Sequence, residues 1–180
     1  MKDYYEIEVA GLKRQLPLCP LTDKLYIAGF VIFGDVELTE KSAEALLKLV
    51  TEDYDYMITA ESKGIPLGYE MSRQSGKKYF VARKKAKLYM KDAVSVEVRS
   101  ITTDAVQTLI LDGVEGEQIR GKRVVILDDV ISTGESLKAV EVLCGKFDAN
   151  VGAKAAVLAE GDAAERDDIV FLGTSPLIEK

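Results

Sequence analysis

Val124-Val125-Ile126-Leu127-Asp128-Asp129-Val130-Ile131-Ser132-Thr133-Gly134-Glu135-Ser136 is the stretch that decides how the chain is read. Four consecutive apolar residues, Val124 to Leu127, predict a strand covered on both faces, as the strands of a parallel sheet are. Two carboxylates, Asp128 and Asp129, stand where that strand is expected to end. A small polar turn follows, Ser132-Thr133-Gly134. Beyond it Leu137, Val140, Cys144 and Phe147 recur at helical spacing and predict a helix with one apolar side.

The same alternation extends in both directions. Upstream, Tyr56–Thr59 and Tyr79–Ala82 read as short buried strands around an expected helix at 66–74. Ala43, Leu46, Leu47 and Val50 share one face of a helix predicted from Thr39, its expected cap, to about Asp53. Downstream, Val151–Ala159 and Ile169–Leu172 read as two further strands. Residues 4–9 and 25–33 read as strands near the start, with turns at Gly11 and across Pro17–Pro20. Val94, Val96 and Val98 alternate with polar residues and predict an exposed hairpin arm within 84–106, with 106–111 as its return. Strands alternating with helices imply an α/β fold around a mostly parallel sheet.

Bulk properties exclude much. The chain of 180 residues suits a single domain, 1–180, and a net charge of −6 disfavours nucleic acid and anionic membranes. No apolar run is long enough to span a membrane, and the N-terminus does not read as a signal peptide. Cys19 and Cys144 form no paired motif, which implies a reduced, cytoplasmic setting. There is no histidine, so His-based triads and His metal sites are ruled out. Gly116-Glu117-Gln118-Ile119-Arg120-Gly121-Lys122 has P-loop spacing, but Arg123 follows it and it precedes a strand, so its context is wrong.

Ligands of open parallel sheets bind beyond the carboxyl ends of strands. Carboxylates at 128 and 129 suit two neighbouring sugar hydroxyls. Ser132, Thr133 and Ser136 supply hydroxyls, Gly134 permits a tight turn, and amides at a helix start favour a phosphate. An acidic strand end before a capped helix is common. Strand, acid pair, polar turn and helix in this order favour the site of a phosphorylated ribose.

This run closely resembles the phosphoribosyl-pyrophosphate motif of type I phosphoribosyltransferases. The resemblance implies that family's fold: a mostly parallel sheet flanked by helices, a small hood (1–35, with Ile27–Asp35 over the base) and a flexible loop arm (84–106). It implies that Asp128 and Asp129 hold the ribose hydroxyls and that Ser132, Thr133, Gly134, Glu135 and Ser136 cradle the 5′-phosphate. Glu135 departs from the glycine usual in the adenine enzymes. Ala60-Glu61-Ser62-Lys63-Gly64-Ile65-Pro66 matches the pyrophosphate loop, with Ser62, Lys63 and Gly64 as its binding residues. Residues 73–91 carry eight Lys or Arg and no acid. Arg83, Lys84 and Lys87 resemble the basic segment before the mobile loop, and Glu97 is read as a solvent-facing residue of the arm.

The implied reaction transfers phosphoribosyl from phosphoribosyl pyrophosphate to a purine base, adenine first, with Mg2+ carried on the pyrophosphate and a homodimeric enzyme of purine salvage. Xanthine, hypoxanthine or guanine is the alternative base. The xanthine enzymes use an Asn in the hood and a Lys after the penultimate strand, where this chain has Ile32 and the residues near Glu160. A non-catalytic sensor of phosphoribosyl pyrophosphate is the alternative from another class. Such regulators carry an added DNA-binding domain, for which 180 residues leave no room.

Overall fold

The apolar run Val124–Leu127 lies in the middle of a five-stranded parallel sheet. The computed structural model describes residues 4–99 and 106–179. In chain order these form β1 (Tyr4–Val9), β2 (Leu12–Pro20), β3 (Leu25–Ala28), α1 (Val36–Leu49), β4 (Tyr56–Ala60), α2 (Ile65–Ser75), β5 (Tyr79–Ala82), β6 (Val94–Arg99) and β7 (Val106–Leu111). There follow α3 (Gly113–Ile119), β8 (Arg123–Ile131), α4 (Glu135–Lys146), β9 (Asn150–Glu160), a 3-10 turn (Gly161–Glu165), β10 (Val170–Ser175) and β11 (Leu177–Glu179).

The parallel sheet has the order β10-β9-β8-β4-β5. From β4 the chain steps outward to β5, then returns to place β8 on β4's other side. The order therefore reverses between β4 and β8, and the carboxyl ends of those two strands flank the crevice where such sheets bind ligands. Side chains of β8 alternate between two cores. Val124 and Ile126 join a core with α4 and the β6–β7 hairpin, whereas Val125 and Leu127 join one with α1, α2 and the N-terminal strands. The continuous apolar run is explained by this double coverage.

A second sheet, β1-β2-β3-β11, is antiparallel throughout. Its existence corrects two readings of the sequence. The Pro17–Pro20 stretch is not a turn but the end of β2. Residues 12–17 pair with β1 and 18–20 with β3, so both prolines fall at ladder ends, where a missing N–H costs little. The third strand stops at Ala28 rather than continuing to 33, and β11 closes its other edge. Short strands of few residues carry little periodic signal, which is why β11 and the helix α3 escaped notice.

The first helix also starts earlier than predicted. Asp35, not Thr39, is its cap, accepting the Leu38 N–H at 3.1 Å. The Thr39 hydroxyl instead donates to the Asp35 carbonyl at 2.7 Å. Arg14 from β2 donates to the same carboxylate from Nε at 2.6 Å and pins the helix start to the antiparallel sheet. The helix ends at Leu49, short of Asp53.

The hairpin forms as expected, with Val94 opposite Leu111 and Arg99 opposite Val106. It is not wholly exposed. Val96, Leu109 and Leu111 are buried against α4, and Arg83 and Ile110 exchange backbone hydrogen bonds of 2.8 and 2.7 Å that tie it to the end of β5. Residues 100–105 of the expected arm lie outside the described residues. Among the described residues no helix is long and apolar enough to cross a membrane.

Candidate functional site

Strand β8 runs on through Asp128 and Asp129 to Ile131, so the acid pair sits within the strand's last turns of pleat and not after its end. Alternation sends the two side chains to opposite faces. Asp129 is buried, 3% exposed, while Asp128 is half-buried. Asp128 Oδ1 accepts the backbone N–H of Asp129 at 2.8 Å. Loss of hydration, reinforced by the neighbouring Asp129 carboxylate, pushes the Asp128 carboxyl well above the usual range, and Lys63 opposes this only in part.

Lys63 comes from the loop after β4, across the point where strand order reverses. Its Nζ lies 3.1 Å from Asp129 Oδ2. The Glu61–Ser62 peptide in this loop is cis. Gly64 is buried where the loop turns into α2, and a side chain there would reach Thr59 Oγ1 at 2.1 Å and the Asp128 backbone at 3.5 Å. Ser62 and Lys63 are exposed at the same edge. The expected residues 62–64 and 128–129 are therefore brought together by adjacent strands.

Beyond Ile131, Ser132 and Thr133 are exposed, and Gly134 adopts a left-handed φ of 78° as the cap residue of α4. Glycine reaches that conformation without strain. Gly134, having no side chain, does not itself cap the first turn of α4. The loop lines a pocket of about 40 Å3 between Asp128 and Leu137, room for roughly three water-sized groups. The Ser136 hydroxyl donates to Gln107 Oε1 on β7 at 3.0 Å. Gln107 was not foreseen, since nothing in a lone Gln on a strand distinguishes it.

The basic segment is held by a residue the sequence reading passed over. Glu61 Oε2 accepts the Lys84 N–H at 2.9 Å and sits 3.2 Å from Arg83 Nε. These contacts, with the Lys84 amide foremost, hold the Glu61 carboxyl below its usual range. Arg83 also donates to the Tyr89 hydroxyl at 3.2 Å. Lys87 lies close enough to Glu61 to act on its charge, and the Lys84 side chain is exposed. Thus Arg83, Lys84 and Lys87 are joined to the loop of Lys63 through one carboxylate. Glu97 is exposed on β6.

Glu61→Ala is expected to cost about 1–2 kcal/mol in urea unfolding at pH 7. A group whose folded pKa is depressed stabilises the fold above its unfolded pKa and loses that contribution as pH falls through the folded value. The penalty should therefore shrink below about pH 4. An equal penalty at pH 3 and pH 7 would show that the carboxylate charge is not what ties the segment.

A wider cleft of about 600 Å3 opens beside the Ser132–Ser136 loop, bounded by Leu21 after β2, Leu177 of β11, Glu160 at the end of β9, and Asp162 and Arg166 beyond it. Burial raises the Glu160 carboxyl above its usual range. Ile32 does not reach this cleft, being fully buried in the core beneath the antiparallel sheet.

The chain is similar to known proteins in sequence and in fold. The model of the phosphoribosyl transferase domain matches residues 37–174. A hypoxanthine/guanine phosphoribosyltransferase of Methanococcus maripaludis is 29% identical over 136 residues, 72% of this chain and 70% of that protein. An adenine phosphoribosyltransferase of Rhodospirillum rubrum is 28% identical over 146 residues, 81% and 82% of the two chains. The crystal structure of an adenine phosphoribosyltransferase from Thermoanaerobacter pseudethanolicus superposes with a TM-score of 0.68 at 21% identity, over 96% of this chain and 95% of that one, a likeness of fold. The match runs from α1 to β10 and takes in both strand ends of the crevice, and by it the chain belongs to the phosphoribosyltransferase family.

Proposed function

We propose that this chain is a purine phosphoribosyltransferase of salvage metabolism, transferring phosphoribosyl from phosphoribosyl pyrophosphate to a purine base, adenine first, with release of pyrophosphate. The observation that carries the reading is the meeting of Lys63 with Asp129 across the strand-order reversal, beside a helix start whose cap residue is glycine. In this reading Asp128 and Asp129 accept the ribose hydroxyls, and the amides and hydroxyls of Ser132 to Ser136 hold the 5′-phosphate. Ser62, Lys63 and Gly64 hold pyrophosphate, with Arg83, Lys84 and Lys87 placed to meet its charge. Relatives carry both adenine and hypoxanthine/guanine names, so hypoxanthine or guanine is the second reading of the base.

Displacement at the anomeric carbon passes through an oxocarbenium-like state. No side chain has to attack the sugar. The acid pair orients the ribose, and cations of the loop after β4 and the basic segment stabilise charge gathering on the leaving pyrophosphate. Among the described residues no group of three or more His, Cys, Asp or Glu is placed to hold a metal ion alone. Mg2+ would travel with the pyrophosphate and neutralise its charge, and Asp128 and Asp129 stand at the same crevice.

The antiparallel sheet is the proposed hood and the cleft below it the proposed seat of the base. The β6–β7 arm is the proposed flexible cover, excluding water from the activated sugar. A homodimer in the cytoplasm completes the reading. Pyrophosphate release measured with Mg2+, phosphoribosyl pyrophosphate and each base in turn is expected with adenine. Release only with hypoxanthine or guanine would move the base assignment. Silence with every base, alongside measurable binding of the sugar, would favour a sensor.

A further inference from the structure

We propose that Arg166, from the turn after β9, is a second anchor for the 5′-phosphate, acting through its side chain beside the amides of the Ser132–Ser136 loop. The inference rests on the phosphoribosyltransferase reading above, and adds to it a residue that lies far from the loop in sequence.

Arg166 is the only cation between Lys154 and Lys180, set among Asp162, Glu165, Asp167 and Asp168. Its Nη1 comes 2.7 Å from the point where a β-carbon on Gly134 would stand. The guanidinium therefore lies against the backbone of the phosphate loop, and it shares the wall of the wide cleft with Ser132, Thr133 and Glu135.

Its orientation is fixed from behind. Asp168 takes Nε and Nη2 in a two-pronged pair, both at 2.8 Å. Lys154 of β9 holds Asp168 at 3.0 Å and Glu141 of α4 at 2.5 Å. Lys138 also lies 3.8 Å from Glu141, so three cations meet two carboxylates and the brace keeps a net positive charge. A guanidinium held in this way has already lost much of the rotamer freedom that binding would otherwise cost.

The arrangement also answers the charge of Glu135. A carboxylate in a phosphate loop opposes a dianion, and a fixed cation on the same wall offsets it. Charge-assisted hydrogen bonds from arginine to phosphate are among the stronger polar contacts available.

The test is calorimetric titration of wild type, Arg166→Gln, Arg166→Ala and Asp168→Asn with ribose 5-phosphate and, separately, with Mg2+ pyrophosphate. Loss of Arg166 is expected to weaken ribose 5-phosphate binding by about 10- to 100-fold while leaving pyrophosphate affinity within about twofold. Asp168→Asn, which keeps the guanidinium but loosens its brace, should fall between. Gln keeps the side chain's length and packing, so a fold lost in the Ala variant leaves the Gln variant to decide. Unchanged ribose 5-phosphate binding, or equal losses for both ligands, overturns the proposal while leaving the enzyme reading intact. A wild type that binds neither ligand overturns both.

Discussion

Replacing Asp128 and Asp129 together by asparagine is expected to remove ribose binding, lowering kcat/KM by about 10²- to 10⁴-fold for the loss of two hydrogen bonds to charged acceptors. The single change Asp128→Asn should do something less obvious: stabilise the empty protein. Asp128 has its carboxyl pushed up by burial and by Asp129. A carboxyl whose folded pKa is raised binds its proton more tightly in the folded state. Stability is then highest below the unfolded value and declines as pH rises from there toward the raised folded value. Asparagine keeps the oxygen that accepts the Asp129 N–H and carries no charge. The variant should gain about 2–4 °C in Tm at pH 7, the shift that 1 kcal/mol gives in a chain of this size, and nothing at pH 4. A variant with lower Tm at pH 7, or with undiminished sugar binding, would show that the pair is structural rather than poised for a ligand.

Gly64→Ala carries the second large effect. The added methyl would stand 2.1 Å from Thr59 Oγ1, on a threonine with no exposure at all. Overpacking of this kind costs about 1–3 kcal/mol, and the cheapest relief is movement of the loop that carries Lys63 away from Asp129. A misplacement near 1 Å at a reacting centre costs on the order of 100-fold in rate. We expect kcat/KM to fall by about that factor while ribose 5-phosphate, seated on the other loop, binds nearly as before. Adding Thr59→Ala removes the clashing hydroxyl and should restore most of the rate. No recovery in the double variant would mean that glycine is required at 64 for contact with the ligand and not for packing.

What the sequence disclosed followed from signals that are local. The double-faced apolar run at 124–127, the acid pair and the polar turn lie within 13 residues, so strand, site and helix start were read together. The buried strand before the loop at 62–64 was legible by the same rule, as the apolar run at 56–59. Partnerships made in space were not visible. Glu61 looked like one more acid before Ser62, yet it organises Arg83 and Lys84 across 22 and 23 positions. Ser136 is expected to meet a phosphate, and nothing in the sequence shows that its hydroxyl also reaches Gln107 on a hairpin strand. Ile32 belongs to the stretch read as hood, and it is buried in the core beneath the antiparallel sheet while its neighbours Val31 and Phe33 are exposed, an alternation within an apolar run that only packing gives a direction. The N-terminal prolines misled for a related reason: proline reports a missing donor, and only the pairing of neighbours says whether a donor was needed.

The crevice between β4 and β8 has a consequence for how the protein acquires its site. Thr59 and Leu127 face each other in the sheet though 68 positions separate them, and α2, β5, the hairpin and α3 are threaded between. Closing so long a loop is entropically costly and slow beside the formation of local helices and hairpins. In the proposed reading phosphoribosyl pyrophosphate spans both loops, so a chain in which Lys63 has not yet met Asp129 offers it only part of its contacts. A partly folded chain is therefore expected to hold phosphoribosyl pyrophosphate weakly, and a ligand that prefers the closed form stabilises the whole cooperative unit in proportion to the logarithm of its concentration.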